Sequence, residues 1–439
     1  MDKAFDLVVR GGTVIDGKGS AGAEADVGIR DGRIAAVGKI IGGGAEEIDA
    51  RGLLVTPGFV DIHTHYDGQV TWGDQMQPSS WHGVTTVVMG NCGVGFAPCR
   101  RGDREQLMRL MEGVEDIPFP VLEEGLPWNW ETYPDYLDSL SKRRFDLDVG
   151  SLLPHAPLRV WVMGERGANR EAATSADIEA MAAIAGQAIA AGALGFSTSK
   201  TLNHRTKAGE STPTLAASEE ELTGIAMALA AAGRGVMEYI GDYFDPTEEF
   251  AMLRRIVEKS GRPLSFGLAQ MSDRPSDYRI LLDKLSEAAD LPISAQAAPR
   301  AIGILFGLEL TLNPFILYPT YTEIMDLPFN ARIMRLRDSN FRAKLLADRP
   351  TSDRVKVIEL QKRDRMFMLG EEPNYEQSPS ETIAAVAARQ GRDPADVALD
   401  HMLSQGGHGL IYMAFANYVS GDLAVVYDML SHPSVAVGL

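Results

Sequence analysis

Pro57-Gly58-Phe59-Val60-Asp61-Ile62-His63-Thr64-His65 is the stretch on which the reading of this chain turns. A short apolar run, Phe59 to Ile62, ends in two histidines one residue apart. On an extended backbone alternate side chains project to the same side, so both imidazoles can reach one ion. The plainer use of such a pair, two polar residues closing a strand, fits the Pro-Gly-Phe-Val-Asp lead-in less well.

Working outward, short apolar runs alternate with segments of helical period. Strands are expected at Phe59 to Ile62, Thr85 to Met89, Val149 to Leu153, Ala193 to Ser197, Val236 to Ile240, Leu264 to Leu268, Ile293 to Ala297 and Val435 to Val437. Ser218 with Glu221 three residues on reads as a capping box opening a helix that ends near Gly233. A second helix runs from about Thr247 to Ser260, closed by Gly261 and Pro263. Eight strands with helices between them predict an α/β fold of parallel βαβ units over residues 57–439, either a (β/α)8 TIM barrel or a doubly wound sheet, and the family resemblance given below implies the barrel. Residues 300–375 read as an insertion, with helices expected at Ser378 to Arg389 and Pro394 to Ser404. Residues 1–56 alternate in the two-residue rhythm of half-buried strands punctuated by Gly11-Gly12, Asp31-Gly32 and Gly42 to Gly44, which predicts a small β-rich domain.

Composition excludes several classes. The 439 residues are 45% hydrophobic and 23% charged, the balance of a globular protein with a sizeable core. Lys plus Arg is 42 against Asp plus Glu 60, so 42 − 60 = −18, a charge that repels nucleic-acid phosphates and anionic lipid. The opening MDKAFDLVVRGG lacks the apolar core of a signal peptide, and no later segment reaches the roughly 18 apolar residues of a membrane span. A cytoplasmic setting is expected, with neither nucleic acid nor membrane as partner. A homo-oligomer is compatible with this composition but is not read from it. Two cysteines, Cys92 and Cys99, are too few for a secreted disulfide framework.

Gly83-Val84-Thr85-Thr86-Val87-Val88-Met89-Gly90-Asn91-Cys92-Gly93 is a second β-branched run that stops at a possible ligand. A thiolate is a good partner for Zn²⁺, and glycines beside it let the backbone turn closely. Cys99 has no such context. His155 and Arg159 follow the third strand, Lys200 the fourth, and His204-Arg205 lies in the loop after it, so all five are candidates for substrate contact. His82, His401, His408 and His432 sit away from strand ends. The Trp128-Asn129-Trp130 region reads either as packing or as the wall of an apolar pocket.

The His63/His65 strand, Gly90-Asn91-Cys92-Gly93, Gly192-Ala193-Leu194-Gly195-Phe196-Ser197-Thr198 and the early β-rich domain together make the chain resemble the D-aminoacylase branch of the amidohydrolase superfamily over essentially its whole length. The resemblance implies that His63, His65 and Cys92 bind zinc. It further implies that a metal-activated water cleaves the amide of a small-molecule N-acyl-D-amino acid. It also implies histidine ligands at the ends of strands five and six, where this chain has Val236-Met237-Glu238-Tyr239-Ile240 and Leu264-Ser265-Phe266-Gly267-Leu268-Ala269-Gln270. One ion rather than two is therefore expected, with Glu238 and Gln270 as oxygen-bearing replacements. The catalytic aspartate that the resemblance implies would follow Leu439. Its absence, together with a small β-sandwich lacking its C-terminal half, reads as truncation with little turnover expected. The rival readings are a cyclic-amide hydrolase of the hydantoinase or dihydroorotase type, marked by a carboxylated Lys200, and a non-catalytic barrel that binds a ligand.

Overall fold

The structure is a computed structural model and describes residues 4–350 and 361–438. The part of the expected 300–375 insertion at 351–360, and Leu439, lie outside the described residues.

The N-terminal strands form a five-stranded sheet. These are β1 (Phe5–Val14), β2 (Ala23–Arg30), β3 (Arg33–Gly38), β4 (Gly44–Asp49) and β5 (Leu54–Val55). Their order is β3-β2-β1-β4, with β5 pairing β1. β1 runs antiparallel to β2 and parallel to β4 and β5, so one long strand organises the whole sheet.

Eight further strands line up in sequence order in one parallel sheet. They are β6 (Phe59–Asp61), β7 (Val84–Met89), β8 (Asp148–Pro154), β9 (Gly195–Lys200), β10 (Val236–Gly241), β11 (Leu264–Gly267), β12 (Ile293–Ala297) and, across an insertion, β16 (Val435–Val437). This is the curled sheet of a (β/α)8 barrel, and all eight expected strands are present. The helices between them start where side-chain caps dictate. Thr174 and Asp177 form a reciprocal capping box, Ser218 accepts from the Glu221 N–H, and Asp245 accepts from the Glu248 N–H ahead of Pro246. Gly261 closes its helix in the left-handed conformation at φ 62°. Alternation along the strands separates two environments. On β9, Ser197 reaches the Gly90–Gly93 loop while Thr198 bonds His155 in the helix that follows β8. On β10, Glu238 reaches Cys92 while Tyr239 bonds Glu249 of the next helix.

The described residues fall into two compact units, Met1–Asp61 with Gln75–Val87 and Phe145–Val149, and Ile62–Asp74 with Val88–Arg144 and Gly150–Leu439. The first unit passes the boundary expected at residue 56, because Phe59 of β6 already pairs with Val84 of β7.

Between β12 and β16 the chain builds a separate layer. β13 (Ile302–Phe306), β15 (Ile411–Ala416) and β14 (Met366–Met368) form an antiparallel sheet, covered by helices including Ile383–Gln390 and Pro394–Leu403. Its core includes Phe306, Phe315, Leu336, Met366, Ile383, Leu399 and Ile411. The insertion thus extends to residue 416 rather than 375, and the two helices expected after it belong to it.

Candidate metal centre

The extended chain continues past β6, held by Thr64, whose N–H and hydroxyl both donate to Val88 O at 3.0 and 2.8 Å. Pinning the residue between them directs His63 and His65 to one side, and their ring centroids lie 5.4 Å apart. β7 ends at Met89, and Gly90 turns the chain at φ 77°. A Cβ on Gly90 would sit 2.2 Å from Leu152 O, so only glycine fits this approach to β8. Cys92 is itself left-handed, at φ 57°, which costs a β-carbon residue energy and persists only where surrounding bonds enforce it. Those bonds are visible: Cys92 N donates to Glu238 Oε2 at 3.0 Å, Gly93 N to Ser197 Oγ at 3.1 Å, and Asn91 Nδ2 to Val88 O at 2.9 Å.

The result is a trio whose potential ligand atoms, one each from His63, His65 and Cys92, all lie within 4.8 Å of one another. His63 Nε2 is 3.2 Å from Cys92 Sγ, and its Nδ1 is 2.9 Å from Gln296 Oε1. The Gln296 amide nitrogen donates to Ser265 Oγ at 2.7 Å, which turns its oxygen toward His63. That assigns the proton to Nδ1 and leaves the Nε2 lone pair facing the sulfur. Burial lowers the pKa of His63 to about 3 and of His65 to about 4, keeping both imidazoles in the neutral form that donates to a cation.

Carboxyl groups surround the trio. Glu238 is 2% exposed; burial pushes its pKa up to about 8, and its Oε1, without a hydrogen-bond partner, lies 4.0 Å from His63 Nδ1. Glu115 Oε1 lies 3.3 Å from His65 Nε2, and burial raises Glu115 to about 7. Asp67 is likewise raised to about 7 by burial. Desolvation also raises the Cys92 thiol, with the nearby Glu238, Glu115 and Asp67 adding to it. Two neutral imidazoles, a sulfur and buried acids with unpaired oxygens fit a borderline-soft dication such as Zn²⁺. Of the two oxygen-bearing replacements expected, Glu238 stands beside the trio. Gln270 is turned away, its amide held by Pro275 O and Val419 N.

The other candidates are distributed differently. His155 and Arg159 are fully buried and do not join the trio. His155 bonds Thr198 and Glu221 at 2.8 Å each, and Arg159 Nε lies 2.9 Å from the same Glu221 oxygen. Arg159 also donates to Pro213 O and Glu171 O. Their polar atoms are thus engaged inside the protein rather than offered to a substrate. Lys200 donates to Ala217 O at 2.7 Å. His204 Nδ1 is 3.1 Å from Ser199 Oγ, and Arg205 donates to Leu202 O at 2.5 Å. Cys99 is buried, its thiol donating to Arg100 O at 3.3 Å. Trp130 is 3% exposed and donates to Phe96 O, the packing use of that aromatic group. Glu115 is the residue that sequence reasoning passed over, because an acid on a helix ordinarily reads as a solvated face. No helix among the described residues is long and apolar enough to cross a membrane.

Comparison with known proteins places this geometry in context. The model of the amidohydrolase family matches residues 46–416. The chain is 39% identical to a D-aminoacylase of Alcaligenes xylosoxydans xylosoxydans over 195 residues, 44% of this chain and 37% of that protein. It is also 39% identical to an N-acyl-D-aspartate deacylase of the same organism over 196 residues, 44% of this chain and 36% of that one. The matches thus span little over a third of either curated relative. A solved D-aminoacylase superposes with a TM-score of 0.63 at 25% identity, over 99% of this chain and 75% of its own.

Proposed function

The chain belongs to the amidohydrolase family, and from that premise we propose that it is a metal-dependent hydrolase of the amide bond of N-acyl-D-amino acids, using one Zn²⁺ held by His63, His65 and Cys92. The convergence of those three side chains within 4.8 Å carries the reading. The names of both Alcaligenes relatives supply the substrate class. The solved D-aminoacylase is described as having a binuclear metal centre with one-metal activation and second-metal attenuation, which supports a single activating ion as sufficient.

When bound, such a cation polarises a carbonyl oxygen and lowers the pKa of water. The chain's own residues do the rest. Gln296 fixes the His63 tautomer through Nδ1, and Glu238 holds the Cys92 backbone in its left-handed turn. Lys200 and Arg205, at and after the end of β9, supply positive charge for the free carboxylate of the substrate, and His204 beside them contacts it. His155 and Arg159 work from behind β9, holding Thr198 through the Glu221 network. The setting is cytoplasmic, and the partner is a small molecule.

The test is the zinc content of the dialysed protein, read by mass spectrometry beside His63→Ala and Cys92→Ala. Hydrolysis of N-acetyl-D-amino acids is then compared with that of the L forms and of hydantoins. About one zinc per chain, lost in both variants, is expected, and any turnover should favour the D form. A wild-type chain that retains no zinc, or variants that retain it equally, would overturn the proposal.

A further inference from the structure

Asp242, the first residue after β10, spends its carboxylate on the neighbouring loop. Its Oδ1 accepts from Thr201 Oγ1 at 2.5 Å and its Oδ2 from Leu202 N at 2.7 Å. The backbone carbonyls of Asp242 and Tyr243 accept in turn from the guanidinium of Arg274, in the loop after β11. The segments that follow the fourth, fifth and sixth barrel strands are thereby joined side by side, at the end of the barrel where active sites are built.

Thr201 and Leu202 are the root of a small hairpin. Thr206 N donates to Glu210 O at 2.8 Å, Thr212 N donates to His204 O at 3.3 Å, and Arg205 pairs antiparallel with Ser211. The hairpin reaches the edge of the metal centre. A Cβ on Gly113 would lie 2.1 Å from Arg205 O, and Gly113 shares the last turn of the helix Arg104–Glu115 with Glu115, the carboxylate beside His65. Lys207 Nζ adds a contact to Glu112 of the same turn at 2.9 Å. Arg205 is half-buried and donates through Nε to Leu202 O at 2.5 Å. Among the described residues no carboxylate lies within ion-pair distance of its guanidinium, in a chain whose net charge is −18. A half-buried guanidinium with no acid beside it is suited to the carboxylate of a ligand.

We propose that Asp242 is a positioning residue for substrate selection: by tying Thr201 and Leu202 to the end of β10, it sets the hairpin so that Arg205 meets the free carboxylate of the substrate. The inference rests on the substrate-binding reading of Arg205 above. It adds that the aim of this cation is fixed from the next strand rather than by its own loop alone.

The test compares wild type with Asp242→Ala and Asp242→Asn, folding being checked by circular dichroism. Two ligands are offered to the zinc-loaded protein, N-acetyl-D-leucine and its primary carboxamide, and affinity is read as Kd, or as KM where hydrolysis occurs. Hydrogen bonds to charged groups contribute about 10- to 100-fold in binding, and a loosened Arg205 should forfeit about 10-fold for the acid. The carboxamide should lose less than about 2-fold, a split that general destabilisation would not produce. Asp242→Asn keeps one acceptor oxygen and should recover part of the loss. Limited trypsin digestion reads the hairpin directly, since cleavage after Arg205 and Lys207 should be faster in Asp242→Ala. A folded Asp242→Ala that is cut at the wild-type rate, or that keeps the wild-type preference for acid over carboxamide, overturns the proposal. If that variant does not fold, the same result from Thr201→Val, which removes the hydroxyl donor and keeps the shape, does so. A wild-type chain that binds neither ligand, yet is cut faster in Asp242→Ala, would instead remove the substrate reading, and this inference with it.

Discussion

Replacing Gly90 by alanine isolates how much the turn into Cys92 depends on close backbone approach. Two costs add. An L-residue held in the left-handed region costs about 1–2 kcal/mol, and Gly90 sits at φ 77°. The new Cβ would meet Leu152 O at 2.2 Å, and because the obstacle is backbone of β8 rather than a flexible side chain, relief requires strand movement of the kind that overpacking makes cost about 1–3 kcal/mol. Against these, alanine reduces unfolded-chain entropy by about 0.4–1 kcal/mol. The net expectation is a loss of about 1.5–4 kcal/mol. Gly261→Ala is the matched control: its φ is 62° and nothing lies within 4 Å of its Cβ position, so only the conformational cost applies, about 1 kcal/mol or less after the entropy offset. Urea unfolding of the two variants followed by far-ultraviolet circular dichroism gives the comparison, and zinc retention follows the position of Cys92. If Gly90→Ala unfolds within about 0.5 kcal/mol of Gly261→Ala and keeps its zinc, the tight passage against β8 does not constrain the site.

Two other expectations follow from the geometry. Glu221→Gln keeps the shape of the side chain but removes the carboxylate in contact with the fully buried Arg159, so it should destabilise by about 3–5 kcal/mol in the same urea assay; a neutral effect would show that Arg159 does not depend on Glu221 for charge balance. In the N-terminal sheet the N–H groups of Ile40 and Gly11 hold Asp26 below the usual carboxylate range, Arg10 does so for Glu47, and Arg51 lowers Asp49 to about 2. Depressed folded-state values mean stability that is present above the unfolded pKa of about 4 and is lost as pH falls through the folded values, so the melting temperature should drop between about pH 4 and 2. Asp26→Asn should flatten that drop, and an unchanged slope would remove Asp26 from the explanation.

Much of this architecture was legible because its determinants are local. Each barrel strand is a short apolar run closed by a residue that stops it, and the β6 and β7 runs stop at His63 and Gly90. What stayed hidden depends on contacts between distant segments. β13 and β15 pair across more than a hundred residues, so no window of sequence reveals that Ile411–Ala416 belongs to the insertion. Glu221 fits the pattern of a capping residue three positions after Ser218, and the Ser218 cap is indeed made. The carboxylate, however, does not return to Ser218; it lies against His155 and Arg159, taking up two side chains whose place after β8 suggested substrate contact. The trio could be read from strand ends alone, whereas Glu115 could not, since its partner His65 lies fifty residues upstream on another element.

The inserted layer leaves the barrel and comes back at one spot, for Ile302 and Ala416 are paired partners although 416 − 302 = 114 positions separate them. Measured through space, the detour has almost no length. The entropic penalty of joining its ends grows only with the logarithm of what lies between, and here the layer's own packing brings those ends together. Such a module can be lengthened, trimmed or exchanged over evolutionary time while β12 and β16 keep their pairing, so diversification at this seam need not disturb the residues that gather around Cys92.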